Sequence, residues 1–161
     1  MSWKDLFLSA NGRVGQSAFW IGVLILFVAG FVVQIVPILG QILAIAMIYP
    51  WICLFSKRLH DFGQSGWLVL LPFAVWIGAL CIGFFLGGAG MIAGAMSGYN
   101  DVAAATAFGG AGLILGLMGL AGLVNLLFLL WVGLSKGAEG DNAYGPPAGP
   151  LGNAPPAAPA A

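Results

Sequence analysis

The stretch Lys57-Arg58-Leu59-His60-Asp61-Phe62-Gly63-Gln64-Ser65-Gly66-Trp67 decides how this chain is read. The whole sequence has five basic and five acidic residues, and Lys57, Arg58 and Asp61 fall here together with the only histidine. On both sides the sequence is apolar. With 61% hydrophobic and 6% charged residues, it lies far below the roughly one-quarter charged content of soluble domains. Too few polar groups exist to cover a water-facing surface. The solvent implied is a bilayer, in which a spanning helix needs about 20 mostly apolar residues. A net charge of zero removes the electrostatic case for nucleic acid as a partner.

Working outward, four uncharged spans are predicted at about 18–36, 38–55, 67–87 and 111–134. The fold class is therefore an all-α membrane protein with four transmembrane helices. Pro37 and Gly40 mark a tight turn between the first two spans, and Pro50 predicts a kink near Ala46 through the backbone bond it removes. A cleaved signal peptide is the weaker reading of the N-terminus. The apolar run continues through Val36, beyond the about 7–15 residues of a signal core.

Lys4 and Arg13 precede span one, Lys57 and Arg58 lie between spans two and three, and Lys136 follows span four. All basic residues thus fall on one side, which the positive-inside rule makes cytoplasmic, with both termini there. Before span one, Trp3, Leu6, Phe7 and Ala10 share a helical face, as in a short interfacial helix. The small-residue segment 87–110 has no clear period and reads as an irregular extracytoplasmic loop with some helix, or a re-entrant segment. The Pro/Ala-rich tail, 146–161, lacks the bulk to form a core and is predicted to be disordered.

The candidate site is a cytoplasmic polar cluster of Arg13, Arg58, His60, Asp61, Ser65, Asn142 and Tyr144. Its plainest role is structural: cations complement the dipole at the end of span two, Gly63 turns the chain, and Ser65 caps span three. Catalysis is disfavoured. Adjacent His60 and Asp61 diverge by about 100° on a helix, so Asp61 is badly placed to orient its neighbour's ring in a hydrolytic triad with Ser65. One histidine without clustered cysteines or carboxylates supplies no metal set, and no cofactor is implied. Cys53 and Cys81 fall at depths differing by on the order of 15 Å, too far for a disulfide. Asn125, the polar residue deepest in a span, is expected to bond between helices.

Three segments then carry a resemblance: Gly12-Arg13 followed by Phe19-Trp20; Lys57 to Asp61 with Ser65-Gly66-Trp67; and the run from Gly137 through Tyr144-Gly145 to Pro146. In this order they resemble the domain of unknown function 805 family, small bacterial inner-membrane proteins of about four helices. The resemblance extends from residue 1 to about Pro147. It implies an inner-membrane location and brings no activity. That family usually has a basic residue where Gln16 stands here, and often an acidic one at the place of Ala18.

The function expected is a non-enzymatic interaction or envelope role. Its partners are the bilayer, and beyond it an anionic lipid headgroup or a membrane protein, with a homo-oligomer also open. The alternative is a small transporter or channel component, which would draw on Asn125. Against it, no predicted span holds the kind of ionisable side chain that usually marks an ion path.

Overall fold

The computed structural model describes residues 3–36 and 38–148. Pro37 and the predicted disorder of the tail beyond residue 148 lie outside them. Helix α1 runs Trp3–Leu8, α2 Gln16–Val33, α3 Leu39–Ala46 and α4 Ile48–Asp61. A 3-10 turn, Gly66–Val69, leads into α5, Leu70–Ile82. A π-helical stretch, Gly83–Gly88, joins α5 to α6, Ala89–Met96, and α7 spans Asn100–Leu134.

Among the described residues, four continuous helical stretches are long and apolar enough to cross a membrane: Gln16–Val33, Gly40–Asp61, Gly66–Met96 and Asn100–Leu134. The chain is an all-α, multi-pass membrane protein. Helices serve here because each satisfies its backbone groups internally, where no water can. Large apolar side chains point outward: Phe31 is 67% exposed, Leu115 72% and Phe84 73%. Such a surface suits lipid rather than water.

Two predicted boundaries are corrected. The helix of span two does not stop near residue 55 but continues to Asp61, so Lys57 to Asp61 are helical rather than loop. It stops where the backbone turns left-handed at Gly63, φ +77°. There the Gly63 N–H donates to the His60 carbonyl at 3.1 Å and the Gln64 N–H to the Leu59 carbonyl at 2.9 Å, a Schellman ending. Where the kink is predicted, α3 ends at Ala46 and α4 begins at Ile48, with only Met47 between them. Pro50 sits in the first turn of α4, where a missing N–H costs least.

Segment 87–110 is the second correction. It is not irregular but a helical hairpin, α6 and the start of α7, joined by a turn at Ser97–Tyr99. Small side chains produced no amphipathic period because they serve close backbone approach, which apolar solvent rewards. A Cβ on Gly110 would lie 2.6 Å from the Gly87 carbonyl oxygen, and one on Gly94 would clash with Thr106 Oγ1. We expect Gly94→Ala to lower stability by about 1–3 kcal/mol through overpacking. Gly90→Ala, with nothing within 4 Å of the added carbon, should be neutral or stabilising. Thermal melting of the two variants in detergent checks this; equal melting points would contradict the hairpin packing.

The chain divides into two compact units, one of Met1–Val69 with Leu130–Ala161, the other Leu70–Leu129. The first is built on buried Val14, Phe19, Leu26, Leu54, Leu59 and Val132. Phe19 meets Phe55 edge-on, ring centroids 5.2 Å apart. In the second, Asn125 departs from expectation: its Nδ2 donates to the Ala121 carbonyl of its own helix at 2.8 Å. Such a carbonyl one turn back is always within reach, whatever the neighbouring helices do. Cys53 and Cys81 are both free thiols.

Candidate functional site

All five basic residues belong to the first unit, and its polar centre is Asp61. Asp61 lies in the last turn of α4, with Arg58 one turn before it on the same face. Arg13 arrives from the short connection between α1 and α2. Each carboxylate oxygen receives one arginine. Arg13 Nε donates to Oδ1 at 3.1 Å, and Arg58 Nη1 to Oδ2 at 2.6 Å. The side chains of the three are 1–5% exposed, so these are buried ion pairs.

The rest of the Arg13 fork is also occupied. One Nη2 bond reaches the Asp61 main-chain carbonyl at 3.0 Å and another the Ala138 carbonyl. Nη1 donates to the Gly140 carbonyl at 2.8 Å and the Gly145 carbonyl at 3.2 Å. A guanidinium has five N–H groups, and here five bonds leave it. Three of them hold the segment Gly137–Ala148, which we term the strap.

Arg58 turns instead to the end of α7. Its Nε donates to the Val132 carbonyl at 3.2 Å, Nη2 to the Ser135 carbonyl, and Nη1 also to the Val14 carbonyl at 3.4 Å. Carbonyls in the last turn of a helix have no partner within it, and a cation there opposes the negative end of the dipole. Gln16 joins this cap, its Nε2 donating to the Gly133 carbonyl at 3.0 Å. Where the resembled family usually has a basic residue, a neutral amide here performs a helix-end contact.

His60 and the strap meet on the other side. The His60 and Tyr144 rings stack at 3.8 Å and 7°. His60 Nδ1 faces the Gly12 carbonyl oxygen at 3.3 Å. Asn142 Nδ2 donates to the His60 carbonyl at 2.8 Å, while its Oδ1 accepts the Tyr144 N–H at 2.9 Å. The Ala138 N–H donates to the Asp61 carbonyl at 2.8 Å.

Six of the seven residues singled out from the sequence are thus brought together. Ser65 is not one of them: it is exposed, and its hydroxyl accepts the Trp67 N–H at 3.4 Å as the cap of the 3-10 turn. Sequence reasoning missed four contributors. Lys57, 1% exposed, donates from Nζ to the Asp5 carbonyl and so docks α1 on α4. Gln16 caps α7. Gly66 leaves room for His60, since a Cβ would come 2.8 Å from Nε2. Gly137 is pressed on Asp61, where a Cβ would meet Oδ2. The glycines sit inside the quoted motifs and were legible only as pattern.

Asp61 faces two arginines rather than His60, and Ser65 serves a turn, so no nucleophile–base relay forms among them. Among the described residues, no three of His, Cys, Asp and Glu gather to hold a metal. Beside Arg58 and Asp61 lies an open cleft of about 360 Å³, flanked by Gly15, Gln16 and Ser17 at the start of α2 and by Gly137, Ala138 and Glu139 of the strap.

A family model described as "Protein of unknown function (DUF805)" matches residues 7–146. No curated protein matches the chain, and no solved structure does.

Proposed function

We propose, from the premise that the chain belongs to the DUF805 family, that it is a non-enzymatic inner-membrane protein with both termini cytoplasmic. Its polar face engages anionic lipid headgroups. One observation carries this reading. Arg13 and Arg58 spend their hydrogen bonds on Asp61 and on main-chain carbonyls, which makes them the frame of a face rather than a reaction centre. The frame keeps a net charge of +1, two arginines against one aspartate, and exposed Lys4 and Lys136 flank it in sequence. The positive-inside rule favours the cytoplasmic side for such a face, where anionic lipids attract basic residues.

Orientation is tested with single cysteines in a background lacking Cys53 and Cys81. Cysteines at Ser9, Gln64 and Ser135 should resist an impermeant thiol reagent in intact cells, and one at Ser97 should be labelled. Labelling at Gln64 from outside would overturn the cytoplasmic assignment. For the headgroup role, phosphatidylglycerol should raise the melting temperature above that in phosphatidylcholine, since a ligand stabilises the state it binds. A Lys4→Ala/Lys136→Ala variant should gain less. Equal melting in the two lipids would contradict the role.

A further inference from the structure

We infer that the strap is a displaceable occupant of an anion site on Arg13, and that a phosphate-bearing group takes its place. This deepens the headgroup reading and rests on it. Three main-chain oxygens, of Ala138, Gly140 and Gly145, converge on the Nη edge of Arg13. Several acceptor oxygens on one guanidinium edge is also how an arginine fork receives phosphate. The strap therefore occupies donors that a phosphate would use.

Charge points the same way. Arg13, Arg58 and Asp61 sum to +1, whereas residues 137–148 contain Glu139 and Asp141 and no basic residue, a charge of −2. An acidic segment lies over a cationic seat. A phosphate can replace it with sign preserved, and a membrane rich in anionic lipid would repel the segment as it leaves.

Strap and frame also differ in what holds them. No described side chain from Gly137 to Ala148 is buried. The segment is tied by the Arg13 bonds, by Ala138 to Asp61, by Asn142 to His60 and by the Tyr144 stack. Polar ties of this kind exchange for water at small net cost, and segments with few buried apolar contacts open first. Arg58 is different, because two of its acceptors are the Val132 and Ser135 carbonyls at the end of α7. The exchange thus concerns Arg13 and leaves the Arg58–Asp61 pair in place.

Glu139 is the only glutamate in the chain, and it lies in the strap. A glutamate-specific protease therefore reports strap opening, its rate following the open population when reclosing is fast. The full chain is placed in phosphatidylcholine nanodiscs. Phosphatidylglycerol is added in one arm and inorganic phosphate in another, with chloride at matched ionic strength as control. Cleavage should be slow in phosphatidylcholine and rise about tenfold once the anion exceeds its Kd by about tenfold. Acceleration by the lipid alone identifies a headgroup, and acceleration by both a free phosphate as well. Tyr144→Ala should cleave faster without anion and respond still. Arg13→Lys, which keeps charge and loses the fork, should not respond. An equal or slower rate with both anions, in the parent and in Tyr144→Ala, overturns the exchange. Fast cleavage of the parent in phosphatidylcholine alone also overturns it, and shows in addition that the strap is not held by the frame.

Discussion

Asp61→Ala is expected to destabilise the protein by about 3–5 kcal/mol, the scale for removing one partner of a buried charge network. The cost is more than two lost bonds. Arg13 Nε and Arg58 Nη1 would both lose their acceptor, in side chains that are only about 1% exposed. Two guanidiniums would then face each other with no carboxylate between them. An exposed pair of the same residue types would contribute only about 0–1 kcal/mol. Unfolding in detergent, followed by heat or denaturant, distinguishes these scales; a loss under about 1 kcal/mol would mean the site is solvated. Asp61→Asn should fare little better, since its amide turns N–H donors toward one of the arginines.

The second large effect is at Arg58. Arg58→Met is expected to cost about 3–5 kcal/mol as well, because it strands the Asp61 Oδ2 and uncaps the end of α7. Arg58→Lys should recover only part. An ammonium is a point charge and cannot serve Asp61, Val14, Val132 and Ser135 from one planar fork. Combined with Asp61→Ala, Arg58→Met should cost clearly less than the sum of the two, as residues of one network couple by about 0.5–3 kcal/mol. Strict additivity of the pair, measured by the same unfolding experiment, would mean that they act separately.

Much of this arrangement was legible in the sequence. Uncharged runs give the spans, and Arg58 and Asp61 are three apart, which already places them on one helical face. That Arg13, Asn142 and Tyr144 share a face with them is read from the topology, which puts the three family-like segments on one side. What could not be read is which backbone carbonyls the arginines would choose, because one helix end looks like another in sequence. Lys57 carries no signal of its burial, since a buried lysine and a topology-setting lysine have the same neighbours in the chain. Ser65 reads as part of the cluster because capping and site building call on the same residue type. Segment 87–110 hid its helices for a physical reason. Glycine and alanine carry too little apolar contrast to show a period, although lipid makes a helix the only open choice for such backbone.

The central claim is that Arg13, Arg58 and Asp61 join the start of α2, the end of α4 and the strap as one energetic unit. Amide hydrogen exchange of Asp61→Ala against the parent tests it most directly. The reporters are Val14, whose N–H donates to the Lys57 carbonyl, Ala138, bonded to Asp61, and Gly145, bonded to Asn142. If the unit exists, all three amides lose protection together. Loss confined to Ala138, with Val14 and Gly145 protected as in the parent, would contradict it.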